Sequence, residues 1–263
     1  MLPAIALTIG GSDSGGGAGI QADLKTFTAL QVHGCSALTC ITAQNTCGVS
    51  RVDALPPEAL TAQIEAVASD LPVAALKTGM LLNRALIEAS AAAIAPLAVP
   101  RLIDPVMVSR AGAVLLQPEA IEAYGRCLLP LAELLTPNIH EARLLSGVEI
   151  AGAGDVERAA ARLVERGVAA VLIKGGGLAE LRGSDYLLMA GAGGEWLDTP
   201  VVETPHTHGS GCTLGAAITA WRARGLGLPE AVRQAKGYVN GAINHALAIG
   251  NGQGPLCHWH PWL

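Results

Sequence analysis

The stretch HTHGSGCTLGAAITAW, residues 206–221, changes character near its middle. Its first half is polar and has Gly, Ser and Gly in succession at 209–211, whereas 212–221 is apolar and rich in Ala. This pattern predicts a glycine-lined loop that leads directly into a buried helix. The first N–H groups of a helix have no partner within it, and the helix dipole is positive at that end. The stretch therefore predicts an anion site, most often one for phosphate.

Cys212 falls in the first turn of this predicted helix. The positive field at a helix N-terminus lowers the pKa of a thiol, so we expect Cys212 to be an activated side chain beside the bound anion. The alternative is a glycine-rich turn followed by an inert buried cysteine. The surrounding sequence has to decide between the two interpretations.

Short apolar runs alternate with amphipathic segments along the rest of the chain. Strands separated by helices of about 10–15 residues predict βαβ units, a mostly parallel sheet and a three-layer α/β/α sandwich in one domain, residues 1–263. A glycine-rich loop is predicted at 11–19. The predicted strands are 4–9, 35–43, 49–55, 73–78, 101–103, 133–136, 169–173, 184–189 and 195–202, the last two forming a hairpin. The predicted helices are 21–30, 56–69, 84–95, 119–127, one that begins at 137–138, 155–166, 212–224 and 229–245.

Polar and glycine residues follow many of the predicted strands. In open parallel sheets, ligands bind beyond the carboxyl ends of the strands, so these residues are expected on one rim. They are Gly11, Gln44, Met80, Asp104, Asn138 and Lys174.

Composition excludes several classes of function. The formal net charge is −5 and no Lys/Arg cluster occurs, which argues against nucleic acid or an anionic membrane as partner. No run of about 18 apolar residues and no basic, then apolar, N-terminal segment is present, so we expect a cytoplasmic protein. The 6 cysteines include no Cys-x-x-Cys pair, which favours reduced thiols over a disulfide framework or a structural zinc site.

The familiar phosphate-binding motifs do not account for the site. Residues 17–22, GAGIQA, match a dinucleotide pattern, but no acidic residue between Asp23 and Asp53 is available to bind a ribose. A Walker loop requires a Lys that the Cys212-Thr213 pair does not supply. The sequence set of protein kinases is absent as well.

A phosphate site assembled from distant segments fits better. Lys174 follows a strand and precedes three glycines, where its charge can contact phosphate oxygens. Asp104, Asn138 and Glu141 carry oxygens of the kind that hold hydrated Mg²⁺ against nucleotide phosphates. Taken singly, Lys174 could be a surface charge, and Asn138 and Glu141 could be capping residues. Together with the anion loop they favour a phosphotransferase.

A set of short motifs extends over nearly the whole chain. They are ALTIGGSD at 6–13, GGAGIQADLKT at 16–26, AQNT at 43–46, KTGM at 77–80, DPVM at 104–107, TPN at 136–138 with Glu141, KGG at 174–176, THGSGCT at 207–213, and GQGP at 252–255 with His258. In these motifs the chain resembles the hydroxymethylpyrimidine/phosphomethylpyrimidine kinases of thiamin biosynthesis, a branch of the ribokinase-like superfamily. Two small departures from the usual family pattern are Ser14-Gly15 in place of Pro-Ser, and Gly215 where Ser is common.

The resemblance implies an enzyme that uses ATP to phosphorylate a hydroxymethyl aminopyrimidine and then its monophosphate. It implies a substrate pocket, in which the amide of Gln44 can meet the ring nitrogen and amino group in one plane. It further implies Mg²⁺ near Asp104 and Glu141, Cys212 as the base where sugar-kinase relatives carry Asp, and a homodimer. The implied pocket residues are Gly11, Asp23, Gln44, Met80 and Val106, and the implied ATP-phosphate residues are Lys174, Gly209, Ser210 and Gly211.

Two other functions remain open from sequence alone. A pyridoxal kinase of the same superfamily would act on another hydroxymethyl heteroaromatic ring. A non-catalytic pyrimidine sensor would bind the ring without ATP turnover, which the combination of Lys174, the glycine loop and Cys212 disfavours.

Overall fold

The computed structural model describes residues 3–107 and 118–263. Within them nine strands form one sheet in the order β3-β2-β1-β4-β5-β6-β7-β8-β9. The five pairings from β2 through β1 and β4 to β7 are parallel, and the outer strands β3, β8 and β9 pair antiparallel. The strands are β1 (Ala4–Asp13), β2 (Val32–Asn45), β3 (Gly48–Ala54), β4 (Ala75–Thr78), β5 (Arg101–Ile103), β6 (Leu134–Leu135), β7 (Ala170–Lys174), β8 (Ser184–Met189) and β9 (Glu195–Asp198).

Helices cover both faces of this sheet. Each helix of eight or more residues begins within two residues of its predicted start. No helix in the described part of the chain is long and apolar enough to cross a membrane. The predicted helix 119–127 is α-helical only in its first half and continues as a π-helical turn, Tyr124–Leu128. The helices are α1 (Gly19–Ala29), α2 (Pro57–Asp70), α3 (Arg84–Ile94), α4 (Pro118–Ala123), α5 (Ile139–Ser146), α6 (Ala153–Glu165), α7 (Ser210–Ala223) and α8 (Leu228–Asn244).

Alternate residues of the strands pack into two separate hydrophobic cores. Ile103 and Ile173 point to the core beneath α2, α3, α5 and α6, whereas Leu102 and Leu172 point to the core beneath α1, α7 and α8. Successive side chains of a strand face opposite sides, so each short strand supplies both cores. The predicted three-layer α/β/α sandwich with a mostly parallel sheet is confirmed, whereas the single domain 1–263 stays a prediction.

The first strand is longer than predicted. It continues through Gly11 to Asp13, so the loop predicted at 11–19 begins only after Asp13. The register shifts between Gly10 and Ser12, and beyond that bulge Ser12 and Asp13 pair with the long strand β2. Pairing with β2 therefore outweighs the turn preference of the two glycines.

Candidate active site

The carboxyl ends of β5 and β7 meet the N-terminus of α7. Lys174, the last residue of β7, donates from Nζ to Oδ1 of Asp104 at 3.0 Å. A Cβ atom built on Gly211 would lie 3.5 Å from Lys174 Nζ. The structure thus brings the ammonium group, one carboxylate and the glycine loop into one place, as the sequence predicts.

The N-terminus of α7 is open to a ligand. Gly209 has φ 82°, and no side chain caps the helix among the described residues. A Cβ at Gly209 would lie 1.8 Å from the carbonyl oxygen of Gly17, so the backbones of the two glycine loops are in close contact. The N–H of Ser210 donates to the carbonyl oxygen of Thr207 at 3.2 Å. The N–H of Gly211 follows in the first turn at the positive end of the helix, which is the geometry of an anion site.

Asp104 and Glu141 are two buried carboxylates on the same wall, each 2 % exposed. Thr136 donates to Asp104 Oδ1 at 3.1 Å, and the N–H groups of Asn138 and Met107 donate to Glu141 at 2.9 and 3.2 Å. Burial raises the pKa of Glu141 to about 7, with Lys174 opposing the rise and Asp104 adding to it. Two carboxylates that share one ammonium group leave this wall suited to a further cation.

Asn138 lines the cavity and also caps a helix, and its predicted role in metal binding stays a prediction. Its Oδ1 accepts the N–H of Glu141 at 2.9 Å, while Glu141 accepts the N–H of Asn138, which is a capping box at the start of α5. One lone pair of its oxygen is thereby used to cap the helix. Within residues 3–107 and 118–263 no group of three or more His, Cys, Asp or Glu could hold a metal ion. Asp104 and Glu141 are the two carboxylates on this wall of the cavity.

Cys212 corrects a prediction. The sequence predicts a thiol pKa lowered by the helix N-terminus, but burial raises the pKa of the half-buried Cys212 to about 11. Lys77 opposes the rise, while Asp23 and Asp104 add to it. Loss of hydration and two nearby carboxylates outweigh the favourable field of the helix, so the thiol is neutral at pH 7.

A buried ion pair beneath α7 was not singled out from sequence. Lys77 Nζ donates to both carboxylate oxygens of Asp23 at 2.8 Å, and Thr8 donates to Asp23 Oδ2 at 2.6 Å. Both partners are almost completely buried. Asp23, expected in the substrate pocket, is therefore engaged with the protein itself and positions Lys77 beneath α7, where a Cβ at Gly215 would lie 3.8 Å from Lys77 Nζ.

The expected ring pocket brings Gly11 and Met80 together. A Cβ at Gly11 would lie 2.7 Å from Met80 Cε and 2.8 Å from Cys40 Sγ, so a larger residue here would displace the ends of these two side chains. Gln44 lies at the far end of β2, where Ser14 Oγ donates to its carbonyl oxygen at 2.7 Å and accepts its N–H at 2.8 Å. Ser14, one of the departures from the family pattern, thus fixes the backbone of Gln44.

A cavity of about 610 Å³ extends from the anion site toward α8. Its outer part has an apolar wall and a buried ion pair between Lys236 and Asp185. These two residues were not predicted from the sequence because helix α8 and strand β8, which carry them, are far apart in the chain. Asp185 also accepts the N–H of Gly175 at 3.0 Å. The expected residues that line the cavity are Asp104, Val106, Asn138, Glu141, Lys174, Gly209, Ser210, Gly211 and Cys212.

This arrangement contains the parts that phosphoryl transfer requires. An elongated cavity ends at a helix N-terminus, a lysine stands beside it, and two carboxylates on the same wall can bind a hydrated cation. Positioning and electrostatic stabilisation of the phosphates account for most of the catalysis in such reactions. The half-buried Cys212 also lines this cavity, beside the glycine loop.

Comparison with known proteins agrees with this chemistry. A sequence model of the family described as phosphomethylpyrimidine kinase matches residues 13–257. A hydroxymethylpyrimidine/phosphomethylpyrimidine kinase of Synechococcus elongatus is 57% identical over 258 residues, 98% of each chain. A thiamine biosynthesis bifunctional protein of Geobacter sulfurreducens is 45% identical over 96% of this chain and 51% of its own length.

The fold is similar to a solved structure of a related kinase. The crystal structure of a Bacillus subtilis pyridoxal kinase in complex with ADP superposes with a TM-score of 0.93 and 38% identity, covering 100% of both chains. The similarity to a nucleotide complex agrees with a nucleotide site in this fold.

Proposed function

This chain belongs to the phosphomethylpyrimidine kinase family, and we propose that it phosphorylates the hydroxymethyl group of 4-amino-5-hydroxymethyl-2-methylpyrimidine with ATP and then phosphorylates the resulting monophosphate. It is a kinase of thiamin biosynthesis with a ribokinase-like fold. The observation that carries the proposal is the position of Lys174, between Asp104 and the open N-terminus of α7.

We assign the phosphates of ATP to this position. The N–H groups at Gly209 and Gly211 would donate to phosphate oxygens, whereas the N–H of Ser210 would have to exchange its 3.2 Å bond to Thr207 O for one to phosphate. Lys174 would add a full positive charge near the transferred group. Although burial alone would lower the pKa of Lys174, Asp104 and Glu141 outweigh it and raise that pKa, so the ammonium stays charged. Donors already in place cost no reorganisation when charge develops in the transition state.

The residues present fit a magnesium ion. Asp104 and Glu141 offer hard oxygen donors, and Mg²⁺ in such sites binds one or two carboxylates, water and substrate phosphates. When bound, it would neutralise negative charge on the phosphates. Lys174 donates to Asp104 and balances part of the charge on this wall.

The ring of the substrate would lie between the strand ends of β1, β2 and β4. Gly11 allows the ring to approach the backbone, and Met80 and Val106 supply apolar cover. Gln44 would bind the polar edge of the ring, and Asp23 would act by positioning Lys77. The cytoplasmic location and the homodimer stay predictions.

Cys212 is the proposed acceptor of the hydroxyl proton. The role requires the thiolate, which is a small fraction of the population at pH 7 because the pKa is raised to about 11, and Lys77 is the buried cation that favours it against the effect of burial. In a loose transition state the attacking hydroxyl keeps its proton until late, so the demand on the base is modest. The competing interpretation is that Cys212 fills space while Lys174 and the glycine loop perform the catalysis.

A coupled ADP-release assay tests the proposal on three compounds: the hydroxymethylpyrimidine, its monophosphate and pyridoxal. We expect both pyrimidines to be turned over with higher kcat/KM than pyridoxal. Preferred turnover of pyridoxal would identify a pyridoxal kinase, the activity of the structural relative described above. Ring binding without ADP release would identify a sensor, and enzyme carrying Lys174→Met, purified in the same way, controls for contaminating kinases.

A further inference from the structure

Four polar side chains at the ring end of the site form one hydrogen-bonded chain. His208, in the loop before α7, has Nε2 at 3.0 Å from Asp13 Oδ2 and at 3.3 Å from Gln44 Nε2. At the other end of the Gln44 amide, Oε1 lies 3.2 Å from Thr42 Oγ1. The chain thus connects the ends of β1 and β2 to the loop that precedes the anion site.

The His208 end requires a donor on the imidazole. Asp13 accepts N–H bonds from Gly15, Gly17 and Ala18 at 2.8–3.1 Å, so its carboxylate is an acceptor throughout. Burial alone would raise the pKa of Asp13, but the hydrogen bonds from His208 and from the loop amides outweigh it and lower that pKa. The Nε2 atom of His208 facing this carboxylate therefore carries a hydrogen, and it cannot also accept one from the amide nitrogen of Gln44. Its single hydrogen can be shared in a three-centre bond between Asp13 Oδ2 at 3.0 Å and an oxygen of the Gln44 amide at 3.3 Å.

The Thr42 end gives the same answer independently. The hydroxyl of Thr42 donates its only hydrogen to the carbonyl oxygen of Ser12 at 2.8 Å. Toward Gln44 it can then only accept, so the Gln44 atom beside it should be the NH₂ group. A half-turn of the amide exchanges its oxygen and nitrogen with almost no other change, and the choice between the two follows from the hydrogen-bond network.

We propose that the Gln44 amide is held with its oxygen toward His208 and its NH₂ toward Thr42, and that His208 is the positioning residue that sets this orientation. The site thereby selects rings that carry an amino donor beside an unprotonated ring nitrogen. The inference rests on the proposed function and deepens it, because it concerns how the same site distinguishes one heteroaromatic alcohol from another.

The orientation matters because the amide has two further bonds to make. A primary amide can make four hydrogen bonds, and His208 and Thr42 take two of them. The remaining lone pair on oxygen and the remaining N–H lie side by side and can meet an amino group and a ring nitrogen. The backbone of Gln44 is held by two hydrogen bonds to Ser14, so the amide is carried on a fixed main chain. A pyrimidin-4-one has a carbonyl acceptor beside a ring N–H donor. Its carbonyl oxygen would face the oxygen of the Gln44 amide, and its ring N–H would face the N–H of that amide.

The experiment compares kcat/KM for the aminopyrimidine and for the matching pyrimidin-4-one. In the wild type we expect a preference for the amino compound on the order of 10²-fold or more, since two hydrogen bonds are mismatched in the other. His208→Met keeps an unbranched side chain but removes the donor, so the amide can turn and the preference falls by about tenfold or more. His208→Gln can donate to both Asp13 and Gln44, so it restores most of the preference.

The matched control is His206→Met in the same loop. His206 accepts the N–H of Gly254 at its Nδ1 (3.0 Å) and has no hydrogen bond to Asp13 or Gln44 among the described contacts, so this variant keeps the wild-type preference. Calorimetric binding of the two rings without ATP gives the same ratio without relying on turnover. The same measurement is made on Thr42→Val, which removes the other partner of the Gln44 amide. A folded His208→Met enzyme with an unchanged ratio overturns the inference. Wild-type enzyme that turns over neither ring overturns the proposed function, and the inference with it.

Discussion

Lys174 is a residue whose position was predicted and whose partner was not. The sequence places it at a strand end, and the structure adds the 3.0 Å hydrogen bond to Asp104. Because that pair is largely buried, the ammonium is held in one place before any nucleotide arrives. A fixed charge near the transferred group is worth more than a mobile one, since it needs no reorganisation.

Lys174→Met keeps the length of the side chain and removes its charge. We expect kcat to fall by about 10²–10³-fold, the usual cost of deleting one preorganised electrostatic group. Binding of the aminopyrimidine without ATP should stay near the wild-type value, because the ring contacts come from other strands. Calorimetry and steady-state kinetics separate the two effects, and Arg162→Met at an exposed position of α6 controls for the loss of one positive charge. Lost ring binding with turnover retained would mean that the phosphate end has been assigned wrongly.

Cys212 shows where a local rule failed. Its position in the first turn of α7 was predicted correctly, but the direction of its pKa shift was wrong. The helix field acts on every first-turn side chain, whereas burial and the carboxylates of Asp23 and Asp104 depend on tertiary packing that a sequence window does not contain.

Cys212→Ser removes the thiol and keeps its size, and we expect it to lower kcat by about 10²–10⁴-fold, the contribution of a positioned base. Cys212→Asp restores the carboxylate of the sugar-kinase relatives and should retain more activity than the Ser variant. Since the pKa of the thiol is raised to about 11, it is protonated at pH 7 and its alkylation by iodoacetamide should accelerate steadily as pH rises toward that value. Peptide-resolved mass spectrometry can follow it, with exposed Cys47 as the reference. Near wild-type kcat in Cys212→Ser would leave the residue a space-filling role.

Among the helices and strands, α7 contributes the largest part of the candidate site, at its N-terminus. Its first turn depends on Gly209, which has a left-handed conformation and lies against Gly17 of the β1–α1 loop. That contact brings together two loops nearly 200 residues apart in the sequence. The loop-to-helix transition could be predicted from residues 206–221 alone, but the approach of the second loop could not.

Gly209→Ala should therefore cost more than a left-handed conformation alone. A Cβ at Gly209 would lie 1.8 Å from Gly17 O, whereas Gly225, just beyond α7, has φ 90° and would meet nothing within 4 Å. Gly225→Ala should lose about 1–2 kcal/mol of unfolding free energy from strain. Gly209→Ala should lose more and should also weaken ATP binding. Urea unfolding and KM for ATP measure both, and equal losses in the two variants would show that the loop contact contributes little.

At the scale of the whole molecule, the sequence predicted the alternation of strands and helices well because each strand is a short apolar run between turn residues. The rim holding Asp104, Lys174 and the glycine loop followed from the rule for parallel sheets. The ion pairs Lys77–Asp23 and Lys236–Asp185 did not, because each joins elements 50 or more residues apart. The extension of β1 to Asp13 was missed for the same reason, since only pairing with β2 reveals it.

The C-terminal segment also packs against α7, through His258. Its Nε2 lies 3.1 Å from Thr213 Oγ1, and Thr213 donates to the carbonyl oxygen of Gly209 at 2.9 Å, so Nε2 should carry the hydrogen. Its Nδ1 is buried without a hydrogen-bond partner in the described part of the chain. Burial lowers the pKa of His258 to about 4, and the charges of Lys25 and His260 act in the same direction.

This has a consequence for stability against pH. Between pH 6.5 and about 4 the unfolded chain binds a proton at this histidine and the folded chain does not, so the free energy of unfolding falls as the pH falls. Over that window the loss from this group is up to about 3 kcal/mol, at 1.36 kcal/mol for each unit of pKa shift. His258→Phe removes the titration and fills the space, so its unfolding free energy should fall less steeply over the same range. Urea unfolding at several pH values measures both slopes, with His33→Phe on the exposed end of β2 as the control. Identical slopes in wild type and His258→Phe would show that protonation of His258 does not contribute to the pH dependence of the unfolding free energy.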